Sequence, residues 1–134
     1  MTDAERHRFL ERFVADGSGV AFAVLGGVFA EGIDLPGTRL IGAFIATLGL
    51  PQVNAVNEEL RRRLDEAFGS GQDYTYLYPG IRKVVQAAGR VIRTVDDTGT
   101  VHLIDDRFCR KEVLGLMPSW WKTEITKSAR WANS

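Results

Sequence analysis

The chain has 134 residues, of which 45% are hydrophobic and 25% charged, and its 17 basic and 17 acidic side chains give a formal net charge of zero. These values are typical of one globular domain with a hydrophobic core, and they exclude an intrinsically disordered chain. The balanced charge also excludes a basic field over the whole domain, so any contact with nucleic acid must be local.

The single cysteine, Cys109, excludes an internal disulfide, which fits a reducing, cytoplasmic setting. One cysteine is also too few for an iron–sulfur cluster or a zinc centre built from thiolates. The amino terminus is charged and has no apolar signal core, and no apolar run reaches the roughly 20 residues that span a bilayer. We therefore expect a cytoplasmic protein, or a piece of one, without membrane contact.

The first predicted elements are an amphipathic helix over residues 2–15 and two buried strands. The strands are predicted over residues 20–25 and 39–48, because continuous apolar runs are typical of strands that are covered on both faces of a parallel sheet. A glycine-rich loop over residues 26–37 separates them.

In the second half of the chain, Pro51 stands near the start of a helix that runs to about Phe68. Its apolar side chains recur every three or four residues: Val53, Val56, Leu60, Leu64 and Phe68. We then predict a tyrosine-containing loop over residues 69–78, a helix over 79–94, a third strand over 100–105 and a short helical stretch over 118–121. Alternating strands and helices predict an α/β fold, a parallel sheet with helices packed on its faces.

The helix predicted over residues 79–94 carries a polar row opposite its apolar face. At 100° per residue, Gln86, Arg90 and Arg93 fall within about 60° of one another. The opposite side holds the apolar residues Ile81, Val84, Ala88, Val91 and Ile92. An amide and two guanidinium groups in a row suit a polyanion, since arginine pairs with two phosphate oxygens at once. The alternative is a solvated basic face, which also takes in Arg82 and Lys83.

Two motifs carry a family resemblance. Gln86, Gly89, Arg90 and Arg93 form the pattern Q-x-x-G-R-x-x-R, which resembles motif VI of superfamily 2 helicases. The loop over residues 26–37, G-G-V-F-A-E-G-I-D-L-P-G, resembles motif V of the XPD/DinG group. It follows a predicted buried strand, where ligand loops of open α/β sheets lie. The alternative, without the resemblance, is a tight glycine turn in which a carboxylate has its own hydrogen-bond partners.

Four shorter segments agree with the same group and follow in the expected order. They are G-L-P at residues 49–51, Y-P at 78–79, the strand and D-x-R-F loop at 96–108 and the tryptophan segment at 116–120. The resemblance spans roughly residues 8–121. We assign residues 1–121 to the carboxy-terminal motor domain of such a helicase and residues 122–134 to a polar tail.

The resemblance implies a partial RecA-like domain of the P-loop NTPase type, the second of two motor domains that enclose ATP. Arg93 would then be the arginine finger on the γ-phosphate, and Arg90 would lie beside it. Gln86 would sense the γ-phosphate or the attacking water, and Gly89 completes the motif.

The loop that resembles motif V would bind ATP and couple it to the DNA track. Asp34 would approach the ribose or link this loop to motif VI, with Gly32 beside it, and Glu31 would couple nucleotide state to DNA. The nucleic-acid contact itself would come from three residues at the start of the loop: Gly26, Gly27 and Phe29. The resemblance does not decide which of these two roles belongs to Glu31 and which to Asp34.

The chain also lacks several motifs of the family pattern. The 134 residues contain no phosphate loop of the form G-x-x-x-x-G-K-[ST] and no D-E-A-H-like box. Motif IV and the opening strand and helix of the motor domain are also missing. We therefore expect an amino-terminal motor domain to supply the phosphate loop, the Mg²⁺ ligands for ATP and any iron–sulfur cluster. The expected partners are that domain and single-stranded DNA, and this chain alone is expected to have negligible ATPase activity.

Two other functions remain open. One is a stand-alone binding module without ATPase activity, which would hold nucleic acid or a protein through the basic face of the helix over residues 79–94. The other is a small α/β enzyme with Glu31 and Asp34 as paired carboxylates, although no nucleophile accompanies them. We expect the three tyrosines of residues 74–78 to pack against the sheet, with base stacking as the alternative. His102 is expected to be a packed strand residue.

Overall fold

The computed structural model describes residues 2–27, 35, 37–94 and 96–126. Within these ranges the helices are α1 (Asp3–Leu10), α2 (Ala55–Phe68), α3 (Tyr78–Ala88) and α4 (Lys111–Leu114), and the strands are β1 (Gly42–Ile45) and β2 (Thr100–Leu103). Short 3-10 turns lie at Gly37–Arg39 and Asp106–Cys109, and a π-helical turn at Asp73–Leu77 leads directly into α3. None of the described helices is long and apolar enough to cross a membrane.

The two strands form a parallel pair, with Gly42 opposite Thr100 and Ile45 opposite Leu103. A parallel pair needs a long crossover connection, and α2 and α3 provide it here. The predicted α/β class is therefore confirmed. On the outer face of the pair, the ring of His102 stacks on Phe44 with ring centroids 4.7 Å apart. His102 is thus packed against another ring, as predicted, although its side chain is exposed.

The hydrophobic core lies between α3 and the structure around the carboxyl ends of the strands. The helix contributes its inward face, with Ile81, Val84 and Ala88 all buried. The other buried members of the cluster are Ile45, Leu48, Phe108, Val113 and Met117. The apolar side of the helix predicted over residues 79–94 is therefore confirmed, and it anchors α3 to the rest of the described chain.

The strand predicted over residues 20–25 is wrong for this structure. Residues 20–24 form no strand, and the side chains of Val20, Phe22 and Val24 are 81%, 95% and 79% exposed. A strand persists only where a neighbouring strand satisfies its backbone hydrogen bonds, and within the described residues β1 and β2 pair only with each other. Leu25, at the end of the run, packs against the core.

Further element boundaries differ from the predictions, and the third strand ends at Leu103 instead of residue 105. α1 ends at Leu10 and buries no side chain, so the predicted amphipathic helix is shorter than residues 2–15. The second strand is confined to Gly42–Ile45. The short helix predicted over residues 118–121 is a turn, closed by the N–H of Trp121 donating to the carbonyl of Pro118 at 3.0 Å, and α4 precedes it.

The loop predicted over residues 69–78 is mostly helical. Gly69, with φ of 70°, ends α2 in the left-handed conformation, and helical geometry then continues from residue 71 to residue 88. Thr75 and Tyr76 are buried there, and the Tyr76 hydroxyl donates to Glu58 on α2. The segment folds as helix because it packs against its neighbours. Of the three tyrosines that were predicted to pack against the sheet, Tyr76 is buried with its hydroxyl on α2, whereas Tyr74 and Tyr78 are exposed.

Candidate functional site

The predicted polar row is divided between α3 and the turn that follows it. Gln86 lies on the exposed side of α3, whereas Arg90 and Arg93 come after the helix has ended at Ala88. The N–H groups of Val91 and Ile92 both donate to the carbonyl of Ala88, at 3.0 and 3.3 Å. The helix ends at Ala88, so the prediction of one continuous helix to residue 94 is wrong, and Arg90 and Arg93 lie beyond its end.

The helix ends here for two local reasons. Gly89 is its C-cap, and glycine destabilises a helix interior by about 1 kcal/mol relative to alanine. Val91 then turns inward and is buried, which fixes the chain to the core just beyond the cap. Burial of Val91 compensates for the helical hydrogen bonds that are lost where α3 ends. The spacing of the apolar residues alone does not indicate that the helix ends there.

Both arginines of the predicted motif are half-buried. The Nε and Nη2 atoms of Arg93 are shielded from solvent, and Val91 holds the backbone between the two arginines. Arginine keeps its charge in such surroundings. Because water screens a shielded charge less than an exposed one, the field of Arg93 is stronger than that of a fully solvated guanidinium.

The backbone at Arg93 is held by a side chain that sequence reasoning missed. One carboxylate oxygen of Asp97, Oδ2, accepts hydrogen bonds from the N–H groups of Arg93 and Thr94, at 3.0 and 2.9 Å. From the sequence, residues 96–99 are predicted to end the preceding helix and to begin the segment that resembles the closing strand, with no role for the side chain of Asp97. A signal was present nonetheless, since aspartate followed by a glycine turn often binds nearby backbone N–H groups.

The start of the glycine-rich loop lies against α3. Gly26 has φ of +80°, and a Cβ at this position would come within 3.1 Å of Cδ of Lys83. A larger residue would need a small shift of the lysine side chain and would be strained by the positive φ. Since Lys83 lies in the middle of α3, Gly26 lies beside the middle of that helix.

The remaining predicted residues of this loop are Phe29, Glu31, Gly32 and Asp34, and they lie outside the described residues. Their predicted roles stay predictions. Among the site residues that the structure does describe, Gln86 and Gly89 lie on or at the end of α3, and Arg90 and Arg93 lie just beyond it.

A second charged contact lies where β2 ends. Nη2 of Arg107 lies 2.6 Å from Oδ2 of Asp105, and Nε lies 2.9 Å from Oδ1. These hydrogen bonds hold the pKa of Asp105 at about 2, below its usual 3.8. Nη2 of Arg107 also reaches the hydroxyl of Thr47 at 3.4 Å, just after β1. The pair therefore ties the carboxyl ends of the two strands together.

We expect Asp105→Asn to lower the free energy of unfolding by about 1 kcal/mol at neutral pH, a modest value because the pair is partly solvated. The pKa of Asp105 is depressed, so its stabilisation is complete above the unfolded value of 3.8 and is lost as the pH falls towards the folded value of about 2. Urea unfolding of parent and variant at neutral pH and near pH 2 checks this. The difference between the two proteins should be much smaller at the lower pH, because the stabilisation is lost as the pH falls through the folded pKa. The matched control is Asp106→Asn at the exposed neighbouring position, and an equal loss there would contradict the assignment.

A cavity of about 310 Å³ opens near the carboxyl end of β1, with Leu48, Tyr76 and Arg107 among its lining residues. None of the described site residues predicted from the sequence lines it. No cluster of three or more histidine, cysteine, aspartate or glutamate side chains within the described ranges could hold a metal ion.

Comparison with known protein families matches residues 1–124 to the helicase C-terminal domain family. The chain is 34% identical over 104 residues to the ATP-dependent DNA helicase chl-1 of Caenorhabditis elegans, which covers 75% of this chain and 12% of that protein. It is 31% identical over 104 residues to the general transcription and DNA repair factor IIH helicase subunit XPD of Arabidopsis thaliana, covering 75% of this chain and 14% of that protein.

Similarity extends further along the chain in a third relative. The regulator of telomere elongation helicase 1 of Homo sapiens is 34% identical over 129 residues, which covers 87% of this chain and 10% of that protein. The chain thus spans between 10% and 14% of the length of these three relatives.

Proposed function

Because the chain belongs to the helicase C-terminal domain family, we propose that it serves as the second motor domain of an ATP-dependent DNA helicase of the XPD type. The family predicted from the sequence is confirmed by this match and by the relatives. In the proposed arrangement the chain closes an ATP site whose other wall belongs to a first motor domain.

The observation that carries the proposal is the placement of two arginines directly after α3. Burial of Val91 fixes the chain between them, and the carboxylate of Asp97 fixes the backbone at Arg93. Two guanidinium groups three residues apart, carried on a backbone that is held in this way, suit a phosphate chain, because each can donate two hydrogen bonds in parallel. A randomly solvated basic face would not need its backbone held in this way.

We assign the role of arginine finger to Arg93. Its guanidinium would contact the γ-phosphate and stabilise the charge that develops on the transferred group, an effect of about 10³–10⁵ in rate. Arg90 would lie beside it on phosphate or on the first motor domain. Gln86, exposed one turn earlier on α3, would sense the γ-phosphate or orient the attacking water.

The loop over residues 26–37 is assigned to coupling between nucleotide and DNA. Asp34, with Gly32, would approach the ribose or link the loop to the arginines, and Glu31 would transmit the nucleotide state. Gly26, with Gly27 and Phe29 after it, would contact single-stranded DNA. Contact between Gly26 and Lys83 of α3 supports this role, because a shift of α3 on ATP binding would be felt at the loop.

The substrate, ATP with Mg²⁺, requires groups that these 134 residues do not contain. No G-x-x-x-x-G-K-[ST] sequence is present to surround the β- and γ-phosphates with backbone N–H groups. We assign the phosphate loop and the Mg²⁺ ligands to the first motor domain. Turnover therefore requires both domains.

The test is reconstitution. The 134-residue chain and a first motor domain with its phosphate loop are purified separately, and ATP hydrolysis is measured for each and for the mixture, with and without single-stranded DNA. We expect negligible hydrolysis by the chain alone and DNA-stimulated hydrolysis by the pair. Hydrolysis by the chain alone would contradict a shared site. An inactive pair, formed from a first domain that binds ATP, would contradict the helicase assignment.

Titration of the isolated chain with single-stranded DNA at two salt concentrations separates this function from that of a stand-alone binding module. A module that binds through Arg82, Lys83 and the two arginines would bind tightly and lose affinity steeply as the salt concentration rises. We expect weak binding by the isolated chain and tighter binding by the reconstituted pair.

A further inference from the structure

The end of α3 leaves two backbone donors without helical acceptors. In a continuous helix the N–H groups of Arg93 and Thr94 would donate to carbonyls four residues earlier. The helix has ended at Ala88, and the chain has turned away through Val91. The N–H of Arg93 is partly buried and needs another acceptor, because leaving a buried donor unsatisfied costs about 1–3 kcal/mol, whereas Thr94 is exposed.

Asp97 supplies that acceptor for both groups. Its Oδ2 lies 3.0 Å from the nitrogen of Arg93 and 2.9 Å from that of Thr94, and its own N–H donates to the carbonyl of Thr94 at 3.2 Å. The N–H of Thr94, followed by that of Arg93, lowers the pKa of Asp97 below its usual value. The carboxylate is therefore charged at neutral pH and binds these donors more strongly than a neutral oxygen would.

The turn that carries Asp97 is itself fixed to the sheet. A Cβ at Gly99 would lie 2.3 Å from Cγ1 of Val91 and 2.9 Å from the carbonyl oxygen of Ile41, so only glycine fits this approach. The next residue, Thr100, donates its N–H to the same carbonyl at 3.1 Å and begins β2. Asp97 thus lies two residues before Gly99, where the sheet packs against the segment that carries the two arginines.

We propose that Asp97 is a positioning residue for the arginine finger. Its carboxylate fixes the backbone of Arg93 relative to the sheet and so sets where the guanidinium enters the ATP site. This role rests on the function proposed for Arg93. Asp97 touches no substrate and acts through Arg93 alone. Its neighbour Asp96 is exposed and provides the matched control, since its removal takes one negative charge from the same turn.

The contact itself is tested first on the 134-residue chain. Amide hydrogen exchange, resolved by residue, is measured for the parent, Asp97→Ala and Asp96→Ala. We expect the amides of Arg93 and Thr94 to exchange at least about tenfold faster in Asp97→Ala, while core amides such as that of Val84 stay protected. Asp96→Ala should resemble the parent. Unchanged exchange at Arg93 and Thr94 in Asp97→Ala would overturn the proposal.

The functional consequence is tested in the reconstituted pair of motor domains. A small displacement of a reacting group can cost about a hundredfold in rate, so we expect Asp97→Ala to lower kcat by about 10- to 100-fold with little change in KM for ATP. Asp97→Asn keeps an oxygen acceptor and should recover part of the rate. Asp97→Asn also replaces Asp97→Ala in these measurements if the alanine variant does not fold.

A double variant distinguishes positioning from a general loss of structure. If Asp97 acts through Arg93, adding Asp97→Ala to Arg93→Ala should lower kcat no further, because the group being positioned is already gone. Multiplicative losses would overturn the proposal. Full activity of Asp97→Ala beside an inactive Arg93→Ala would refute the positioning role and leave the finger intact. Full activity of Arg93→Ala would refute the proposed finger itself, whatever the exchange experiment shows.

Discussion

Replacing Arg93 with alanine, in a helicase that pairs this chain with a first motor domain, is expected to lower DNA-stimulated ATP turnover by about 10³–10⁵-fold. ATP binding should change little, because the phosphate loop and the Mg²⁺ ligands lie in the other domain. The physical reason is that an arginine finger stabilises the charge distribution of the transition state more than that of the bound substrate.

The measurement separates the two effects. Single-turnover hydrolysis reports the chemical step, and equilibrium binding of a fluorescent ATP analogue reports affinity. Arg93→Lys keeps a positive charge but loses the paired hydrogen bonds, so it should recover only part of the rate.

The matched control is Arg82→Ala, the same chemical change at an exposed position on α3. It should leave turnover within a small factor of the parent. Turnover by Arg93→Ala at the parental rate would show that Arg93 is not the finger. An equal loss in Arg82→Ala would show instead that a diffuse positive field, and not a positioned guanidinium, supports hydrolysis.

Replacing Phe108 with alanine is expected to lower the free energy of unfolding of the chain by about 3–5 kcal/mol. The ring is 3% exposed and belongs to the core cluster between α3 and the carboxyl ends of the strands. Its removal loses apolar burial and leaves a cavity that the surrounding side chains fill only in part. Since domains of this size are stable by about 5–15 kcal/mol, the variant should be close to unfolding at physiological temperature.

Urea unfolding followed by circular dichroism measures this loss, with the slope of the transition checked for a change in the unfolded state. The matched control is Phe22→Ala, because Phe22 is 95% exposed. The same atoms are removed there, and the expected change is within about 0.5 kcal/mol. Similar losses in both variants would contradict the placement of the core.

The predictions about α3 show which features of a helix can be predicted from the local sequence pattern. The apolar positions of this helix, spaced three and four residues apart, predict its buried face, because the helical period alone decides which side chains share a side. Ile81, Val84 and Ala88 are buried as predicted. The end of the helix was not predicted. It depends on Val91 finding a place in the core and on the carboxylate of Asp97 accepting the next N–H groups.

The apolar run over residues 20–25 shows the opposite case. Its composition is typical of a buried strand, yet strand formation depends on a partner that the run itself does not contain. In the described chain Val20 and Phe22 face solvent, and only Leu25 reaches the core. The tyrosine segment before α3 differs for a related reason. Its helix is stabilised by burial of Tyr76 and by the hydrogen bond from Tyr76 to Glu58, which lies 18 residues earlier.

The sequence by itself determined the family, the α/β class and the buried face of α3, and it predicts the residues of the candidate site. Those conclusions follow from the identity and spacing of neighbouring residues, which are local properties of the chain. The tertiary structure decided where α3 ends, how Arg93 is held and which carboxylate holds it. Gly99 and Ile41 come together only when β2 pairs with β1, and this contact places the turn that carries Asp97. A contact of that kind depends on the packing of distant segments, and no local pattern specifies it.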